Sequence, residues 1–117
     1  MATSITLYGL TNCDSCRKAR RWLKGHDHEF ADRDVRSDGL ATSDLSRWVS
    51  AVGWETLVNR KSRTWRELAD AERAALNEST VVHFLIAHPT LLKRPVVEDT
   101  ATGTVIVGFN PDAYSAL

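Results

Sequence analysis

Cys13-Asp14-Ser15-Cys16 sets the only two thiols of the chain three residues apart, directly behind the apolar run Ile5-Thr6-Leu7-Tyr8 and a Gly9-Leu10-Thr11-Asn12 turn. Sulfur attacks as thiolate, and a cysteine at the first turn of a helix meets unpaired backbone N–H groups and the positive end of the helix dipole, both of which lower its pKa. Cys13 therefore reads as a nucleophile. Cys16 would lie one turn deeper on the same face, within reach of a mixed disulfide formed on Cys13, and reads as the resolving thiol. Two other readings stay in view: the pair as small buried apolar residues, or as half of a tetrahedral zinc site completed by His26 and His28. Placement behind the first strand weighs against the former. The histidines fall past the far end of the first helix, which weighs against the latter, so no metal is expected.

The elements that must position these thiols follow from periodicity. Ile5 to Tyr8 alternates as a short strand, and Cys16, Ala19, Trp22 and Leu23 recur at helical spacing from Ser15 to Lys24 before Gly25. His28 to Val35 reads as a second strand anchored by Phe30 and Val35, closed by the Arg36-Ser37-Asp38-Gly39 turn. A helical middle follows: Leu45, Trp48, Val49 and Val52 share one side up to Gly53, and Trp54 to Asn59 continues loosely. Thr64 to Glu67 has capping-box spacing, Asp70 is placed to cap a helix running to Leu76, and Ser79 to cap another carrying Val82, Leu85 and Ile86 up to Pro89. Val96-Val97 and Val105-Ile106-Val107 flank a turn as an antiparallel hairpin, and Asn110-Pro111 gives an N-cap and first-turn proline for a last helix. The order β–α–β, helices, β–β–α is that of an α/β thioredoxin-like fold, a mixed four-stranded sheet with a helical insertion at about 41–88, in one domain spanning 1–117. In that fold a proline before the third strand faces the thiol motif, and here it is Pro95.

Fifteen Lys plus Arg balance fifteen Asp plus Glu, so any charge logic is local, and no broad basic face argues for nucleic acid. Met1 to Ser4 runs into a strand without a basic n-region or apolar h-region, and no span is long enough to cross a bilayer. A cytoplasmic protein without membrane contact is expected. Reducing thiol pools there favour a catalytic or sensing role for a close cysteine pair over a structural bridge.

Tyr8-Gly9-Leu10-Thr11-Asn12-Cys13-Asp14, Arg36 to Leu40, Gly53-Trp54-Glu55, Thr64-Trp65-Arg66, Lys93-Arg94-Pro95 and Gly108-Phe109-Asn110 together resemble the arsenate-reductase-like proteins, most nearly their small YffB and Spx/MgsR branch. The resemblance runs from the first strand to the last helix. It implies a nucleophile at Cys13 and an arginine followed by a cis-proline at Arg94-Pro95. Glutaredoxin-dependent arsenate reductases hold their oxyanion with three arginines. Arg60 and Arg94 match two of them, and the third position falls in Val107-Gly108-Phe109, where no arginine stands. Those reductases and YffB-type proteins carry one motif cysteine, whereas Spx regulators, thiol-sensing partners of RNA polymerase, carry a pair.

Among other candidates, Arg94 can present a bidentate fork to an anion, and Arg60 is a weaker one within Arg60-Lys61-Ser62-Arg63. Asn12 and Thr11 can hydrogen-bond a bound anion or simply make the turn. Arg17 and Lys18 sit where they favour a Cys13 thiolate, while Arg20 and Arg21 read as the solvated face of an amphipathic helix. Trp22, Trp48, Trp54 and Trp65 read as packing residues. The expected function is a thiol–disulfide oxidoreductase acting with Cys13, Cys16 and Arg94 as catalytic groups, and Asn12, Arg60, Arg94 and Pro95 around the substrate. Glutathione is the expected co-substrate, and no bound cofactor is expected. The rival is a redox-sensing regulator that binds the RNA polymerase α-subunit.

Overall fold

In a computed structural model, which describes residues 4–117, strand β1 (Ile5–Gly9) leads into helix α1 (Asp14–Gly25) and returns to strand β2 (Ala31–Asp34). Helices α2 (Thr42–Val52), α3 (Trp54–Leu57), α4 (Arg63–Glu67), α5 (Asp70–Ala74) and α6 (Val81–Ala87) follow, then a 3-10 turn at Pro89–Leu91. Strands β3 (Val96–Asp99) and β4 (Thr104–Val107) and helix α7 (Pro111–Tyr114) close the chain. The strands form one mixed sheet in the order β2-β1-β3-β4. β1 runs parallel to β2, with Leu7 opposite Asp32, and antiparallel to β3, with Leu7 opposite Val97. β3 pairs antiparallel with β4, Val97 opposite Ile106. The expected thioredoxin-like sheet is present.

The chain forms two compact units, one from the residues up to Asp38 and from Arg94 onward, the other from Gly39–Lys93. The first contains the sheet. Its core gathers Ile5 and Leu7 of β1, Ala19 and Leu23 of α1, Val97, Ile106 and Tyr114. The strand period of two places Ile5 and Leu7 on one face, and the helical period places Ala19 and Leu23 on the stripe that covers it. α1 ends where His26 takes over the helix cap and Asp27 turns left-handed at φ 59°. α7 is fixed at its start by Asn110, whose side-chain oxygen accepts from Ala113 N–H at 3.1 Å, with Pro111 at the first position as expected. Its last residue, Tyr114, is fully buried and donates its hydroxyl to the Gly108 carbonyl at 2.9 Å.

The second unit buries Leu45 and Trp48 of α2, Leu57 of α3 and Val81 and Leu85 of α6, with α2 packed on α3 and α6. Several helix starts differ from the sequence expectation. Ser62, not Thr64, caps α4 by accepting from Trp65 N–H at 3.1 Å, while the Thr64 hydroxyl bonds that of Thr90. Ala69 precedes α5, which stops at Ala74 short of Leu76, and Glu72 reaches back to the Ala69 N–H at 2.9 Å. Thr80 stands at the cap of α6 in place of Ser79, and Ile86 is 42% exposed because the buried stripe is Val81 and Leu85. Pro89 opens the 3-10 turn. Strand β2 is confined to Ala31–Asp34, with Val35 buried just beyond it and Phe30 packed against the core just before it. Of the four tryptophans only Trp48 is fully buried, and the other three are half-buried.

The Tyr114 hydroxyl tests how α7 is held. Tyr114→Phe leaves the Gly108 carbonyl without this donor, a loss of about 1–2 kcal/mol, and should lower Tm by roughly 3–8 °C. An unchanged Tm would mean that water replaces the hydroxyl at that carbonyl.

Candidate functional site

The thiols sit where β1 hands over to α1. Cys13 is the N-cap residue, with extended backbone (φ −128°, ψ 121°), and its carbonyl accepts from Arg17 N–H at 2.9 Å. Its side chain does not cap the helix, so the sulfur stays available at the half-buried mouth of the junction. Cys16 is fully buried one turn on, and both thiols are free. Helical spacing brings Cys16 back beneath Cys13, where its thiol is a hydrogen-bond partner of the Cys13 sulfur. The Arg94 guanidinium supplies a further donor and a positive charge. The Arg94–Pro95 peptide is cis, as expected, and the Pro95 carbonyl accepts from Gly108 N–H at 2.8 Å.

These contacts separate two chemically identical groups. Burial pushes the Cys13 thiol up, but the hydrogen bonds from Cys16, then the hydrogen bond and charge of Arg94, outweigh it and bring Cys13 below the ordinary thiol value. Burial dominates at Cys16 and pushes it up to about 12. The Leu10 N–H and Arg20 oppose this shift, and the neighbouring Cys13 adds to it. The two thiols are thus shifted in opposite directions, Cys13 toward easier and Cys16 toward harder ionisation.

Gly9, the last residue of β1, lets the two sulfurs meet. A Cβ built there would lie 2.6 Å from the Cys16 sulfur, closer than real Cβ atoms come to a neighbour, and 3.3 Å from its Cβ, a tight contact. The residue beyond, Leu10, donates its N–H to the Cys16 sulfur. Its carbonyl is held in turn by Arg20, whose Nη2 donates to Leu10 O at 3.1 Å and whose Nε donates to Asp32 Oδ2 at 2.7 Å. Nη2 also reaches Asp32 Oδ1 at 3.3 Å, which makes a two-point fork. Arg20 is therefore half-buried and spans the motif loop and β2. This corrects its reading as part of a solvated helix face. A local pattern could not show it, because the partner carboxylate lies on a strand twelve residues away.

Arg17 and Lys18, expected to support the thiolate, turn instead toward Asp14, at 3.9 and 3.3 Å. Asn12 is exposed in the turn before the motif, beside Thr11, whose hydroxyl donates to Asp34 at 3.5 Å. Arg60 belongs to the Gly39–Lys93 unit, where it lies 3.9 Å from Glu55 and places its guanidinium 5.7 Å from the Trp65 ring centre. Cys13, Cys16, Arg94 and Pro95 all belong to the sheet unit. His26 and His28 stack on Trp22 with ring centres 3.8 and 5.9 Å away, and no cluster of metal-ligating side chains occurs among the described residues. No helix among the described residues is long and apolar enough to cross a membrane.

A mixed four-stranded sheet with thiols after its first strand and a cis-proline before its third defines a thioredoxin-like domain. Within that class the chain belongs to the ArsC family, whose model matches residues 8–117. It is similar to an uncharacterised protein of Haemophilus influenzae, 39% identical with 96% of each chain covered. It is also similar to the global transcriptional regulator Spx of Streptococcus mutans, 31% identical over 96% of this chain and 81% of that one. The solved structure of a YffB protein superimposes with a TM-score of 0.88 at 39% identity, covering 96% of both chains.

Two measurements test the geometry. The rate of iodoacetamide alkylation of the native protein should rise with pH around a midpoint below the ordinary thiol value, confined to Cys13. Arg94→Ala, which removes both a donor and a charge from the anion, should move that midpoint up. Cys16 should label only after unfolding, and labelling of native Cys16 ahead of Cys13 would reverse the assignment. Gly9→Ala should drive the Cys16 sulfur away from Cys13 and also raise the Cys13 midpoint. A variant that keeps the wild-type profile would show that the sulfur contact does not depend on the missing Cβ.

Proposed function

We propose that the protein is a thiol–disulfide oxidoreductase with Cys13 as nucleophile and Cys16 as resolving thiol. One observation carries this reading: the Cys13 sulfur has both the Cys16 thiol and the Arg94 guanidinium as partners, an arrangement that favours the thiolate. The thiolate attacks one sulfur of a disulfide, the old S–S bond breaks, and the departing thiolate takes a proton from water. Forming the mixed disulfide removes the negative charge on Cys13, one of the causes that raise Cys16. Cys16 then gives its proton to solvent and attacks the Cys13 sulfur, the second substrate thiolate leaves, and the protein holds a Cys13–Cys16 disulfide. Two molecules of glutathione, oxidised to their disulfide, return both cysteines to thiols. In this reading Arg94, next to the buried Pro95, receives a glutathione carboxylate, and exposed Asn12 gives a further donor.

Arsenate is the poorer substrate. The position of a third anion-holding arginine falls at Gly108 and its neighbours, and Gly108 has φ 84°, where side-chain-bearing residues are disfavoured. A second reading, a redox-sensing regulator that binds the RNA polymerase α-subunit, draws on the cysteine pair and on the likeness to a protein named global transcriptional regulator Spx.

Cys16→Ser, incubated with oxidised glutathione or a small disulfide, should accumulate a mixed disulfide on Cys13 that the wild type clears. Arg94→Ala should raise the glutathione concentration needed for half-maximal turnover about tenfold, the scale of one lost charge-assisted bond. No adduct and no turnover, with capture of the α-subunit that differs between oxidised and reduced protein, would replace the oxidoreductase by the regulator.

A further inference from the structure

The chain is electrically neutral as a whole, yet α1 carries Arg17, Lys18, Arg20, Arg21 and Lys24 against a single carboxylate, Asp14. Their spacing has a direction. Counting from Cys13, Arg17 lies one turn on, Arg20 and Arg21 two turns, and Lys24 three, so the cations form a stripe that starts at the thiol. A surface concavity of about 600 Å³ is lined by Arg17, Arg20, Arg21, Lys24 and Gly25. Arg20 is engaged with Asp32 and Leu10, and Arg17 lies at the edge of ion-pair distance from Asp14. Arg21 and Lys24 are exposed and make no salt bridge among the described residues.

The opposite flank has the opposite sign. A second concavity, of about 440 Å³, is lined by Thr11, Arg20, Asp32, Asp34 and Asp38. Asp34 holds its carboxylate below the usual range through hydrogen bonds from Ser37 and Arg36 backbone N–H groups, so that flank stays negative. Arg20 lines both concavities, cationic on one side and carboxylate-rich on the other. An anionic chain leaving Cys13 would be drawn along α1 and repelled from β2.

We propose that the substrate of Cys13 is a protein cysteine in an extended acidic segment, its carboxylates lying along Arg17, Arg21 and Lys24. The proposal rests on the thiol–disulfide reading and names the substrate of that same site. Residues four apart in a helix rise about 6 Å, and alternate residues of an extended chain, whose side chains share one side, advance about 6.6 Å. A carboxylate two residues from the target cysteine therefore comes level with Arg17, and one four residues away with Arg21. The stripe from Cys13 to Lys24 rises about 16 Å, the reach of about five extended residues.

The test uses two nine-residue peptides, Glu-Gly-Glu-Gly-Cys-Gly-Glu-Gly-Glu and its counterpart with every Glu replaced by Gln. The cysteine of each is blocked as a mixed disulfide with thionitrobenzoate. The Cys13 thiolate attacks the peptide sulfur, the aryl thiolate leaves and is read by its absorbance, and a Cys13–peptide disulfide forms. At low ionic strength the acidic peptide should react roughly tenfold faster, a preference that added salt near 0.5 M should erase. The ratio between peptides should fall to about one in Arg21→Glu/Lys24→Glu, and partway in Arg21→Gln/Lys24→Gln. Equal rates with both peptides in the wild type, or a preference unchanged in the charge-reversed protein, would overturn the acidic track and leave the oxidoreductase reading intact. Release no faster than in Cys13→Ser with either peptide would overturn both.

Discussion

The pull of Cys16 and of the Arg94 guanidinium on the Cys13 sulfur is the interaction around which this site is arranged. Partial burial opposes ionisation of Cys13, and groups from two separated stretches, Cys16 within α1 and Arg94 at the entry to β3, outweigh it. That requirement fixes much else. Cys16 can donate only if its sulfur sits beneath Cys13, and that position is open only because Gly9 has no Cβ. The junction itself is restrained by Arg20, which ties Leu10 of the loop to Asp32 of β2. A substitution at Gly9 or Arg20 therefore acts on the thiol without touching it.

Burial gives the two cysteines their different roles. The same desolvation acts on both, but Cys13 has enough donors to overcome it and Cys16 does not. An exposed resolving thiol would compete for substrate. In the proposed cycle a buried one acts second, because burial holds it protonated and reaction of Cys13 removes one of the further causes that oppose its ionisation. What differs between the two thiols is the burial between the mouth of the junction and the first buried turn of α1.

Much of this was legible in the chain. Ile5 and Leu7 alternating and Cys16, Ala19 and Leu23 at helical spacing specify the β1–α1 unit, because each pattern has only one face to bury. Asn110-Pro111 and the hairpin valines were equally direct, since caps and alternation are local signals. What escaped depends on partners distant in sequence or on competition between neighbours. Thr64 and Ser79 have capping chemistry, yet Ser62 and Thr80 stand at those positions, and nothing in spacing alone separates candidates one or two residues apart. Arg20 looked like any exposed helical arginine until Asp32 was brought beside it. Arg17 and Lys18 looked like support for the thiolate, but Asp14, one turn away, takes both.

The arginines of α1 also show why one basic run should not be read as a unit. Arg20 is spent on structure and Arg17 faces Asp14, so the charge that remains for a partner belongs chiefly to Arg21 and Lys24. Neutrality of the whole chain conceals this, because the compensating carboxylates include Asp32, Asp34 and Asp38 on the other side of Arg20. A surface whose sign changes across Arg20 would do more than a uniformly basic one: it would attract an acidic segment and also set the direction in which that segment lies. Selectivity at such a site would then come from the sequence around the target cysteine, leaving Arg94 and the thiol pair to perform the same exchange on each substrate admitted.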